Sequence, residues 1–231
     1  MTTVAIHQPA YNPWLGYVHR IALADVFVFL DTVQFEKNSF TNRNRVRIGK
    51  NSSGWLTVPV LQKRHTRATL QDLKIAPQKW APKHLRTLTQ NYGKTPHFDS
   101  VYPAWEALLS RPHTYLADLC WEMLQMICRT LVIKTKLVRS SALQTAGKKS
   151  DLILNIVSGL KADRYISGPQ GRNYLKLEAF QYRSIEVVYH DYQHPRYPQS
   201  GTEFIPFLGV FDFLCEVHPE ERMSILSAGN E

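Results

Sequence analysis

His7, Gln8 and Tyr11 occur together in the stretch His7-Gln8-Pro9-Ala10-Tyr11, directly behind a short apolar run, Val4 to Ile6. A histidine at such a place can act as general acid or base, or donate to a phosphate or carbonyl oxygen. The alternative is a ring that bonds backbone and merely fixes the loop. Position at the mouth of a loop favours chemistry. Asp31 closes the next apolar run, Asp25 to Leu30. A carboxylate there can orient His7, bind a metal or hold a ribose hydroxyl; equally, it can cap the following loop. Gln34 and Lys37 follow as a neutral donor and a cation suited to an anionic substrate. Asn42-Arg43-Asn44-Arg45 comes next, and Arg43, Arg45 and Arg47 alternate at strand spacing, so that they would share one face. A solvated basic face is the bland reading; Asn42 and Asn44 add neutral donors and favour an anion site.

A second group lies far along the chain. Ser167-Gly168-Pro169-Gln170-Gly171-Arg172-Asn173-Tyr174 is a glycine-rich turn whose N–H groups can cradle an anion, with Arg172 adding charge. It matches neither the dinucleotide fingerprint nor the P-loop. Tyr189-His190-Asp191-Tyr192, with His194 and Tyr197, fits no ligand spacing for a metal and reads as a substrate-binding wall that includes Asp191. No metal site is expected. Neither a GxSxG elbow nor a Cys–His pair occurs, so serine and cysteine nucleophiles lack support.

These residues need elements to position them. The spacing predicts a strand at Val4–Ile6, a helix over Trp14–Leu23 with Leu15, Val18, Ile21 and Ala22 on one face, and a buried strand over 25–31. Strand, helix and strand in so few residues make a βαβ unit. Arg43–Ile48 and Trp55–Val60 read as a hairpin-like pair. Residues 62–75 read as a polar loop and a short strand near Leu73–Ile75. Helices are expected over Pro82–Tyr92, Ser100–Leu109 and Tyr115–Leu131. Beyond them come a strand at Thr135–Arg139, a helix capped by Ser150, a strand at Arg164–Ser167 and a last buried strand at Ile185–Tyr189. The fold class is therefore α/β: a mostly parallel, Rossmann-like sheet flanked by helices, with a helical middle segment and a HUP-type sheet as the narrower variant. One domain over residues 1–222 is expected, with about 80–131 as an alternative helical subdomain and 223–231 as a mobile tail. If the strands are parallel, the three polar segments meet at one rim, outside the carboxyl ends of the strands, where such sheets bind ligands.

Composition narrows the partners. With 28 basic and 19 acidic residues the formal charge is +9, which favours RNA, nucleotide phosphates, sugar nucleotides or anionic lipid. Three cysteines with no CxxC pattern point to a reducing compartment and exclude a disulfide scaffold. No apolar run approaches the roughly 20 residues of a membrane helix, and no signal pattern opens the chain, so a cytoplasmic location is expected.

The motifs together resemble a known group. His7-Gln8-Pro9-x-Tyr11-x-Pro13-Trp14-Leu15-Gly16-Tyr17, Ala24 to Asp31, Val33-Gln34-Phe35-x-Lys37, Asn42 to Arg45 and Leu56 to Val60 resemble the signature of the WbqC-like protein family. Ser140-Ser141, Tyr165 to Gly168 with Gly171 and Tyr174, Asp191-Tyr192 and Phe211-Asp212-Phe213-Leu214 continue the likeness across nearly the whole chain. Cys215-Glu216 departs from the Phe-Asn usual in members. The resemblance implies bacterial O-antigen, polysaccharide or secondary-metabolite biosynthesis, and a glycyl or other aminoacyl transferase activity. A fainter likeness links the first 35 residues, including His19, to the opening of HUP-type nucleotidyltransferases and pantothenate synthetases, which work on ATP; here the second histidine is not in a Gly-His pair.

The expected function is transfer of an aminoacyl or acyl unit to an amino sugar or similar small acceptor. His7 would be the acid/base, Asp31 its orienter, and Lys37, Arg43 and Arg45 the clamp on an activated donor. The partners expected are a small-molecule or sugar-nucleotide substrate and, as one form of the donor, an aminoacyl-tRNA; ATP is the cofactor of the ligase alternative. A non-catalytic RNA- or glycan-binding module is the third class.

Overall fold

The computed structural model describes residues 1–61 and 68–228. The apolar runs near the start form β1 (Thr3–His7) and β2 (Val26–Phe29), joined by α1 (Leu15–Ala22). A hairpin, β3 (Arg43–Ile48) and β4 (Ser52–Thr57), follows, and then three helices: α2 (Trp80–Tyr92), α3 (Phe98–Leu109) and α4 (Leu116–Thr130). The chain returns through β5 (Lys136–Arg139), α5 (Lys149–Gly159), β6 (Arg164–Ser167), α6 (Leu177–Tyr182) and β7 (Glu186–Tyr189). It closes with α7 (Val210–Glu216) and α8 (Arg222–Ser227).

Five strands make one parallel sheet in the order β5-β2-β1-β6-β7. The winding reverses at the centre: from β1 the chain runs outward to β2 and β5, then crosses back to β6 and β7. This is the doubly wound arrangement expected, and its switch point lies between β1 and β6. Alternation along the strands sends Val4, Ile6, Val28 and Tyr165 to one face, against α5 and Phe180 of α6. Ala5, Phe27, Phe29 and Ile166 face the other core, built from α1, the helical segment α2–α4 and α7. The period of two therefore also aims His7 at the α1 face.

Several boundaries differ from the expectations. The β3–β4 pair is the antiparallel hairpin expected, in a two-stranded sheet of its own, but its second strand is Ser52–Thr57 rather than Trp55–Val60. Near Leu73–Ile75 there are only isolated bridges, Lys74 to Tyr115 and Val60 to Ile75; the polar loop expected from 62 lies partly outside the described residues. Ser150 sits inside α5 rather than capping it, and its hydroxyl accepts from the Lys176 N–H. β7 is an edge strand with Val188 open to solvent, not a buried one. The segment expected to trail off from Met223 instead forms α8, where Leu226 is fully buried and its carbonyl accepts from Tyr192; 229–231 lie outside the described residues. Met223 and Ile225 pack on the same core, and buried Arg222 donates to the Val217 and Leu214 carbonyls, so the short helix is docked by several contacts.

Candidate functional site

β1 and β6 end side by side, so the switch point is framed by His7-Gln8 and Ser167-Gly168. His7 Nδ1 donates to the Gln8 carbonyl at 2.9 Å, which leaves the lone pair on Nε2. Tyr17 and Trp14 meet its ring edge-on, with centroids 4.8 and 5.6 Å away. Burial, and next the charge of Arg20, lower the His7 pKa to about 3, against the Gln8 hydrogen bond, which raises it. The ring is therefore neutral at physiological pH.

Arg20, on α1, is the residue that sequence reasoning did not single out. It is 6% exposed, yet among the described residues no carboxylate lies within ion-pair distance of it. The phenols of Tyr165, Tyr17 and Tyr174 lie within its electrostatic reach, and burial lowers its own pKa. Those of Tyr165 and Tyr174 are raised, again chiefly by burial, so both stay neutral. Arg20 Nε donates to His190 Nδ1 at 3.4 Å. His190 must then carry its proton on Nε2, which faces His19 Nδ1 at 2.9 Å. One cation and two neutral imidazoles thus form a chain. The guanidinium also needs Gly168: a Cβ there would lie 2.8 Å from its terminal nitrogen.

The other expected residues divide. Ser167 is buried, its hydroxyl donating to the Gly168 carbonyl, and Gly171 packs so tightly that a Cβ would overlap that hydroxyl. Tyr174 stands at the same rim, half open to solvent. Gly171 spends its N–H on the Gly168 carbonyl, which removes one donor from the expected anion cradle. Arg172 pairs with Asp191 and lies 4.1 Å over the Tyr189 ring, so neither charge is held in reserve for a ligand. Among the described residues no cluster of three or more His, Cys, Asp and Glu side chains could hold a metal ion.

Asp31 turns away from His7. It is fully buried and faces the β5 side, where it accepts from Arg139 Nε, Ser140 Oγ, Ser141 N and Ser141 Oγ, each at 2.9 Å. Two donors on each oxygen leave no capacity to orient an imidazole. Tyr11 is equally committed: it is 1% exposed and shares a 2.9 Å hydrogen bond with His84. Asn44 braces the loop after β1 through the Asn12 carbonyl, and Asn42 donates to the Val58 carbonyl. Arg43 and Arg45 stay on the outer face of the hairpin; Arg47 instead is buried against Asp212. Gln34 bridges Thr69, and Lys37 is exposed on the loop between β2 and β3. The expected residues therefore fall in two places, the switch-point rim and a hairpin face, and the two cavities found among the described residues lie at neither: one is lined by residues such as Lys74, Trp80 and His113, the other by Ala104, Glu122 and Arg129.

The model of the WbqC-like protein family matches residues 8–224. The chain belongs to the WbqC-like protein family. This WbqC-like protein is also 34% identical over 223 residues to an uncharacterized protein, Rv1507c, of Mycobacterium tuberculosis, covering 95% of this chain and 96% of that one. No solved structure matches it. No helix among its described residues is long and apolar enough to cross a membrane.

The histidines give a pH signature. Burial lowers His84, His190 and His194 to about 4, and His7 to about 3. Each binds its proton more readily when unfolded, where the pKa is about 6.5, so stability is fully present above that value and drains away as pH falls toward 4. Asp212, raised to about 6 by burial, runs the opposite way and offsets only part. Melting temperature should therefore fall steadily from pH 6.5 to 4. A flat profile from pH 7 to 5 would contradict these burials.

Proposed function

We propose that this WbqC-like protein is a transferase whose switch-point rim holds the anionic group of an activated donor against Arg20, with His7 as the base that deprotonates the acceptor. The supporting observation is the buried guanidinium without a carboxylate partner beside a neutral imidazole. A cation is costly to bury alone, and a site that is to receive a phosphate or carboxylate keeps that partner's place open. A pKa near 3 makes His7 a weak base in the free protein. A bound anion offsets the field of Arg20, the second cause of that depression after burial, and so raises the imidazole in the liganded protein.

The donor best suited to the family is an aminoacyl, glycyl-type or other acyl unit, carried as an ester or thioester; the acceptor is an amino sugar or similar small amine of glycan or secondary-metabolite assembly. The amine nitrogen attacks the carbonyl carbon, a C–N bond forms and the C–O or C–S bond breaks. The amine proton passes to His7 Nε2 and returns to the leaving atom. Purified protein, glycyl-tRNA and an amino-sugar nucleotide test this directly; absence of transfer with every charged tRNA and acyl donor tried would refute it. An ATP-using ligase would use the same rim, and the reversal of winding between β1 and β6 favours nucleotides there. Pyrophosphate release with ATP and an acid substrate separates the two.

Arg20→Gln tests the anion site itself. Removing a buried, uncompensated charge should leave the unliganded melting temperature at or above the wild-type value, a gain of about 2–4 °C for each kcal/mol recovered. Protection by inorganic pyrophosphate, present in the wild type, should vanish. A variant that melts far below wild type yet keeps that protection would show that Arg20 is structural.

A further inference from the structure

Exposed single rings are ordinary on a protein surface; a contiguous set flanked by cations is not. Trp14, whose ring touches His7, packs against Phe40 at 5.2 Å between centroids, and Phe40 against Trp55 at 5.8 Å. Phe40 and Trp55 are 43% and 46% exposed. The rings are tilted by 52° and 43°, so they do not close into a stack among themselves. Arg43 caps the outer end, its guanidinium carbon 4.4 Å from the Trp55 centroid and one terminal nitrogen held by the Asn38 carbonyl. Arg45 is the cross-strand partner of Trp55, and Lys37 lies on the loop that carries Phe40. Among the described residues none of these three cations sits in an ion pair. The strip therefore runs from the hairpin to the candidate base.

We propose that this strip binds an unpaired segment of RNA, whose bases stack on the rings while its phosphates meet Arg43, Arg45 and Lys37. Rings that accept any base face, interleaved with positioned cations, are the means by which proteins hold single strands. A neutral sugar would use the rings but leave the cations unanswered, and an anionic membrane would use the cations without needing tilted, separately exposed rings. The net charge of +9 acts in the same direction. This deepens the transferase reading, since a strand lying on the strip brings its end to His7, and it rests on that reading for the role of the RNA though not for its binding.

The test is fluorescence anisotropy with a labelled single-stranded RNA of about 10 nucleotides, within the length range such surfaces cover. A heparin fragment serves as a polyanion without bases, and phosphatidylserine vesicles as an anionic surface. Trp55→Ala should weaken RNA binding at least roughly fivefold, the low end of one lost stacking contact, and leave heparin binding unchanged. Phe40→Ala should act in the same direction, and both exposed positions should tolerate alanine without loss of fold, checked by melting. Arg43→Gln should weaken RNA and heparin alike and flatten the salt dependence. Equal RNA affinity in wild type and Trp55→Ala, preference for heparin or vesicles over RNA, or no RNA binding would each overturn the proposal. Loss of RNA binding with pyrophosphate protection at Arg20 intact would count against the strip alone, while the reverse would count against the switch-point reading alone.

Discussion

Asp31→Ala should cost about 3–5 kcal/mol of folding stability, the usual penalty for breaking a buried, hydrogen-bonded ion pair from one side. The carboxylate is fully buried and ties β2 to β5 through Arg139, Ser140 and Ser141. Its loss strands two hydroxyls, a backbone N–H and part of a guanidinium; Arg139 keeps only Asp118, at 2.8 Å. For a chain of this size the melting temperature should drop by roughly 10 °C or more. Asp31→Asn, which keeps acceptor capacity on one side, should recover part of that loss. Thermal denaturation decides the matter. An Asp31→Ala protein that melts like wild type and has lost only turnover would restore the catalytic role that its place at the end of a strand first invited.

His7→Gln should behave in the opposite manner. Folding should change little, because the ring makes one local hydrogen bond to its neighbour's carbonyl and glutamine can offer its own amide there. Turnover should fall by about 10²- to 10⁴-fold, the range for loss of a positioned base. Protection by pyrophosphate should persist, since the cation is untouched. The pH profile supplies a readout that a structural role would not move. With a free-protein pKa of about 3, His7 should put no acidic limb on kcat/KM above about pH 4. Binding of the anionic donor raises the imidazole, so any limb from His7 should show in kcat and lie at higher pH. Unchanged turnover in His7→Gln would remove the base from the mechanism.

Much of the fold was legible because its signals are local. Val4–Ile6 and the run from Asp25 are apolar without interruption, the helix between them has its stripe at Leu15, Val18 and Ile21, and such units wind in parallel. The parallel sheet and its helical insertion follow from that. The site was legible only in part. His7 and Ser167-Gly168 could be placed at strand ends by periodicity, and the pairing of β1 with β6 sets them at the same switch point. Asp31 has its role decided by Ser140 and Ser141, more than a hundred residues later, which no local pattern reveals. Arg20 is hidden for the same reason: it lies in an ordinary amphipathic helix, and its partner His190 is 170 residues away. Tyr11 and Asn44 look like substrate contacts in the motif but act as braces, because the loop after β1 must be held against the hairpin and α2. Leu226 shows the limit at the other end, where a short helix is ordered by docking rather than by its own propensity.

The account depends on an anion reaching Arg20 between β1 and β6. Histidine-selective ¹⁵N–¹H NMR during titration with inorganic pyrophosphate reports on that position directly. His7 and His190 resonances should move together and saturably, with the His7 ring becoming easier to protonate, and Arg20→Gln should abolish both changes. If the two rings stay still while an exposed histidine such as His218 responds, the anion binds elsewhere and the switch-point mechanism is wrong.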